Sequence, residues 1–144
     1  MSELTLEAAK TIIETAFAKG RELGLKPLAV AVLDSGGHLK AFERADGASF
    51  LRPKIAFGKA YGSIALGAGS RALHARAEQQ AYFINAVNAL ADGNLVPVAG
   101  GVVIRDAQGN AVGAVGVTGD TSENDEACAL AGIEAAGFQA DTGA

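Results

Sequence analysis

The stretch Leu28-Ala29-Val30-Ala31-Val32-Leu33-Asp34-Ser35-Gly36-Gly37-His38-Leu39-Lys40-Ala41-Phe42-Glu43-Arg44 decides the fold. Leu28 to Leu33 is a continuous apolar run and His38 to Arg44 an extended segment, joined by the turn residues Asp34-Ser35-Gly36-Gly37, so the stretch reads as a β-hairpin. The same device returns as Val98 to Arg105, then Asp106-Ala107-Gln108-Gly109, then Ala111 to Thr118. An aspartate at the head of such a turn can bond backbone N–H groups ahead of it, and the glycine can take a positive φ. Strands that are apolar on both faces need cover on both sides, from helices or from another subunit.

Helical segments flank both hairpins. Leu6, Ala9, Ile12, Ile13, Ala16, Phe17, Gly20 and Leu23 recur at three- and four-residue steps, which predicts an amphipathic helix capped by Thr5 and stopped by Gly24. Pro53 starts a second helix running to about Gly67, a third is expected from Ser70 to Leu90, and a fourth from Ser122 to about Ala136. Ser122-x-x-Asp125 reads as a capping box. The expected architecture is α/β of the α+β kind, a mainly antiparallel sheet with helices around it. Tight turns in place of crossover helices argue against an open parallel nucleotide-binding sheet.

The 144 residues suit one domain, 1–144, and a chain that is 49% hydrophobic with a formal net charge of -4 suits a globular core. Its 12 Lys and Arg residues form no run, so no basic stripe exists for a nucleic-acid partner. The N-terminus lacks the basic start and apolar core of a signal peptide, and no segment reaches the roughly 18 apolar residues of a membrane span. A cytoplasmic protein without a membrane partner is the expectation. The single cysteine, Cys128, has no disulfide or zinc partner and reads as a core residue.

Three segments together resemble the GlcG/HbpS haem-binding-like family, which is close to the C-terminal domain of PduO-type proteins. They are the hairpin from Leu28 through Ala48, Gly58-Lys59-Ala60-Tyr61, and Pro97-Val98-Ala99-Gly100-Gly101-Val102 onward through Gly119-Asp120 to Asp125. The resemblance covers nearly the whole chain in the family's order. It implies an antiparallel sheet of about five strands, and Leu95 to Pro97 is where the fifth is expected. It further implies a dimer-based homo-oligomer, up to an octamer, with a small molecule at a subunit boundary and haem as the candidate cofactor. Val103, where many members carry proline, and Leu51-Arg52-Pro53 mark a subgroup.

Lys59 is the only charge between Ile55 and Ser70. A lysine on an apolar stripe needs an anionic partner, either a carboxylate of the protein or that of a ligand. Arg44 is expected on the strand face of Phe42 and His38, where it either pairs with Asp46 or Asp125 or grips a ligand carboxylate such as a haem propionate. His38 and His74 are the only imidazoles. His38, beside a turn, is the candidate iron ligand, and His74 reads as part of a solvated helix face. Gly100 and Gly101, with Gly113, Gly116 and Gly119, put bare backbone where a helix, a subunit or a ligand approaches closely. Asp120, Glu123, Asp125 and Glu126 suit a helix start, and no metal site is expected.

These residues support two functional readings. In the first, a small-molecule or haem binder uses Arg44, Lys59, His38, Gly100 and Gly101. In the second, a cofactor-free isomerase or lyase acts on a small carboxylate or aromatic metabolite through Lys59, Asp46 and Asp125. Oligomerisation is expected through the apolar strand faces and the glycine-rich second hairpin.

Overall fold

The computed structural model describes residues 3–144. Its elements run α1 (Leu6–Leu23), β1 (Ala29–Asp34), β2 (Leu39–Arg44), α2 (Arg52–Leu66), α3 (Ser70–Gln79), α4 (Ala81–Leu90), β3 (Gly101–Arg105), β4 (Ala111–Thr118), α5 (Ser122–Ala135) and β5 (Gln139–Asp141). The strands form one antiparallel sheet in the order β2-β1-β4-β3-β5, so the fold is α+β.

The two hairpin turns are built alike. Asp34 Oδ1 accepts from the N–H groups of Gly36 and His38 at 2.9 and 3.0 Å, and Asp106 Oδ1 from those of Gln108 and Asn110, both at 2.9 Å. Gly37 and Gly109 sit at φ 82 and 85, the left-handed region that glycine enters without a Cβ penalty.

Side-chain size sorts the two faces of the sheet. Val30, Val32, Val102, Ile104, Val115 and Val117 meet Ile12, Ile13, Cys128 and Ile133 of α1 and α5. Burial pushes the Cys128 thiol up to about 11, so the cysteine is an inert core residue. The opposite face presents Ala29, Ala31, Leu33 and Ala114 to Ala56 and Ala60 of α2. Small residues there let the helix backbone lie close to the strands: a Cβ on Gly116 would collide with the Ala56 carbonyl, and one on Gly101 with the Lys59 carbonyl.

That packing corrects two expectations. The glycine-rich second hairpin is covered by α2 within the chain, so it offers no flat patch to another subunit. The bare backbone of Gly100 and Gly101 is likewise filled, since Cβ atoms there would meet Lys59 Nζ at 2.7 Å and Ser63 Oγ at 2.6 Å respectively, and no room for a ligand is left.

Three element-level expectations also change. The fifth strand is β5, pairing with β3 and held by Arg105, whose Nη2 lies 2.8 Å from Asp141 Oδ2, and not Leu95 to Pro97. The helix expected over 70–90 breaks at Gln80, with φ -139 and ψ 61, into α3 and α4. The cap of α5 is Thr121, whose Oγ1 accepts from Asn124 N at 3.2 Å, which frees Asp125 to point inward.

Candidate functional site

Two positively charged side chains meet the end of β4 in different ways. Lys59, 3% exposed, donates from Nζ to the Val117 carbonyl at 2.9 Å and to Asp125 Oδ2 at 3.2 Å, while Asp125, 1% exposed, accepts from Asp120 N through Oδ1 at 3.0 Å. Burial pushes Lys59 down and Asp125 up, each toward its uncharged form. Their mutual attraction opposes both shifts, and the Arg52 charge pushes Lys59 further down. Lys59 therefore occupies a closed ion pair that carries α2 onto β4 and α5, and its ammonium is spent on protein partners.

One residue further along β4, Arg52 Nη1 donates to Thr118 Oγ1 at 2.8 Å. Thr118 pairs across the sheet with Ala29, and Ala29 with Arg44. Directly paired residues share a face, and Ala29 faces Ala56 of α2. Arg44 and Arg52 therefore stand at the same end of the same face, with two strand spacings, about 10 Å, between Arg44 and Thr118. Lys54 adds a third cation in the first turn of α2, which holds no acidic residue. Among the described residues none of these three cations forms a salt bridge. Asp92 lines the same groove as Lys54, whereas Arg44 and Arg52 stand at one end of the sheet face without a salt-bridged carboxylate, and an anion would relieve their repulsion.

Apolar surface adjoins this pole on two sides. Half-buried Phe42 of the edge strand β2 packs on Ala29, Ala31 and Ala56, and Phe57, Tyr61 and Ile64 of α2 pack on the neighbouring cluster of Leu33, Ala60 and Ala114, with Phe57 and Tyr61 stacked at 5.5 Å. Leu39 continues this shelf in the exposed part of β2. On the other flank of α2, a groove of about 530 Å³ is lined by Leu51, Lys54, Ile55, Phe57, Asp92 and Val96 among others. Phe50, 89% exposed, stands beside its mouth in sequence.

The remaining expected residues do not join this site. His38 is 80% exposed in its side chain and lies 3.3 Å from Asp34. A bulge at Lys40 shifts the register between Val32↔Ala41 and Leu33↔Leu39. His38 and Lys40 consequently line a groove with Leu4 and Val112 on the α1 side, and His38 does not share the face of Phe42 and Arg44 as expected. Six residues of strand also separate the His38 and Arg44 backbones by about 20 Å. His74 lies on the exposed face of α3, 3.9 Å from Glu78. Asp46 lines a groove under α1 with Phe17, Arg21 and Pro27, away from Lys59. Neither pairing expected for Arg44 forms, and the acidic cluster divides: Asp125 meets Lys59, Glu126 binds Arg71 through two bonds of 3.0 and 2.9 Å, and Asp120 accepts from Lys26 N, Thr121 N and Asn124 Nδ2. No group of three or more His, Cys, Asp or Glu side chains suited to a metal ion occurs among the described residues. None of their helices is long and apolar enough to cross a membrane.

Arg52 and Lys54 are the site residues that sequence reasoning missed. Their signal was present: two cations flank a helix-starting proline with no acidic residue in the turn, an inversion of the usual charge preference.

The chain is similar to several known proteins. A 15.0 kDa protein encoded in the dhaT-dhaS intergenic region of Citrobacter freundii is 28% identical over 134 residues, covering 93% of this chain and 92% of that protein. The crystal structure of Streptomyces reticuli HbpS carrying two Glu-to-Asp substitutions superposes with a TM-score of 0.77 at 29% identity, over 93% of this chain and 87% of that one. The PduOC–haem complex superposes with a TM-score of 0.84 at 20% identity, over 94% and 96% of the two chains, a likeness of fold. Residues 4–134 match the family model of haem degrading protein HbpS-like, nearly the full length, and the chain therefore belongs to the HbpS-like family.

Proposed function

We propose that this protein binds haem, or a planar apolar dicarboxylate of that class, at the N-terminal end of α2. The observation that carries the reading is the pair Arg44 and Arg52, neither in a salt bridge, at the end of a sheet face that bears half-buried aromatic surface, while Lys54 stands on the other flank of α2 with Asp92. A haem presents two carboxylates and a broad apolar plate, and both find their complement here. Charge-assisted bonds from the guanidinium groups would hold the propionates, and Phe42, Phe57, Tyr61 and Ile64 would meet the macrocycle. When bound, haem supplies a redox-active iron; the chain's own residues orient the plate and cover one side of it. A second subunit would cover the other side, which fits a homo-oligomer with the ligand at its boundary. The family membership and the haem-bound structural relative support the same ligand class.

The catalytic reading finds less support, because Lys59 and Asp125 neutralise one another in a closed pair and Asp46 stands apart from both. Haemin titration followed at the Soret band tests the proposal in wild type, Arg44→Ala/Arg52→Ala and His38→Ala/His74→Ala. Saturable binding that survives loss of both histidines and weakens at least tenfold on loss of both arginines is expected. Binding abolished by the histidine substitutions and untouched by the arginine ones would contradict it.

A further inference from the structure

The break at Gln80 folds one helical run into two helices, and α4 packs chiefly on α3. Between them, against the C-terminal end of α2, lies a cleft of about 320 Å³. Leu73 and Ile84, each 4% exposed, line it with Leu66 and Phe83, and Arg76 is its one polar lining residue. That arginine is held from two directions. Its guanidinium lies 4.0 Å over the Phe83 ring, and its Nε donates to Gln80 Oε1, while Gln80 Nε2 in turn donates to Tyr82 Oη at 3.1 Å. Its two Nη groups meet no protein acceptor among the described residues, and no salt bridge there includes Arg76. The neighbouring acids are engaged elsewhere: Glu78 stands 3.9 Å from His74, and Glu126 binds Arg71. A cation that served only the negative end of α3 would need neither the ring nor the amide.

We propose that this cleft binds a small monocarboxylate with an apolar body, a short-chain or aromatic acid, whose carboxylate is gripped by the free edge of Arg76 and whose body lies against Leu66, Leu73 and Phe83. Two parallel N–H groups of a guanidinium match the two oxygens of a carboxylate. Gln80 and Phe83 fix that fork before the ligand arrives, which lowers the entropy lost on binding. Both halves of the ligand are required by the lining. An inorganic anion would leave the apolar wall uncovered, and a neutral apolar molecule would cover the cation without pairing it. At roughly 30 Å³ for each water-sized atom, the cleft holds about ten heavy atoms, too few for a haem plate. It is also a separate place: the 15 residues of α2 span about 20 Å at 1.5 Å per residue, with Arg52 at one end and Leu66 at the other.

Isothermal titration of the full chain with hexanoate, benzoate, hexanol and inorganic phosphate tests this. At least one of the two acids should saturate a single site per chain, the tighter one assigning the body as chain or ring. Hexanol and phosphate should each bind at least tenfold more weakly, the scale of one charge-assisted hydrogen bond. Arg76→Leu should weaken the acid at least tenfold and erase its advantage over hexanol, while far-UV circular dichroism and melting temperature stay near wild type, because the side chain is exposed. No saturable binding of either acid to wild type, hexanol or phosphate binding as tightly as the acid, or an affinity for the acid unchanged in Arg76→Leu would each overturn the proposal.

Discussion

Lys59 shows how a residue can be singled out correctly and its role still depend on geometry. Its isolation in an apolar helix announced a partner, and Asp125 is that partner. The pairing was illegible in sequence because 66 positions separate the two and only the close approach of α2 to β4, permitted by Gly101 and Gly116, brings them together. Removing one member of a buried pair strands the other. Lys59→Met is therefore expected to lower unfolding free energy by about 3–5 kcal/mol, less at acid pH, where Asp125 is protonated in both states. The double variant Lys59→Met/Asp125→Leu should recover most of the loss. Chemical denaturation at pH 7 and well below the ordinary carboxyl value of 3.8 measures both.

Among the elements, the helices and strands that alternate cleanly were legible, and those whose boundaries rest on tertiary contact were not. Leu6–Leu23 and the two hairpins carry their own caps and turns. β5 is three residues long and exists because β3 offers an open edge and Arg105 holds Asp141. The break at Gln80 has no glycine or proline to announce it. The junction of β4 and α5 adds a titratable latch: Asp120 accepts three hydrogen bonds, and the Asn124 amide with the backbone N–H groups of Thr121 and Lys26 holds its carboxyl from 3.8 down to about 2. A carboxyl depressed in the folded state contributes stability above its unfolded pKa and loses it as pH falls through the folded one. Melting temperature should therefore fall between pH 3.8 and about 2 more steeply in wild type than in Asp120→Asn. Parallel curves through that window would show that the latch contributes nothing.

At the scale of the molecule, the sheet divides labour. Its valine-rich face builds the main core with α1 and α5, and its alanine- and glycine-rich face draws α2 close. The start of α2 consequently sets Arg52 near Arg44 at one corner, beside an aromatic shelf that the chain leaves half covered. Sequence pointed to Arg44 through its strand parity with Phe42 but overextended that parity to His38, because a one-residue bulge cannot be read from alternation alone. In the function proposed above, the carboxylates of a planar apolar ligand are held at this corner. Comparing haemin with its dimethyl ester, which keeps the plate and iron but lacks both carboxylates, tests that most directly. Charge-assisted hydrogen bonds of about 1.5–3 kcal/mol correspond to at least tenfold in affinity. The ester should bind wild type at least tenfold more weakly than haemin, and Arg44→Ala/Arg52→Ala should remove the difference. Equal affinity of wild type for the two compounds, or no saturable binding of haemin, would contradict it.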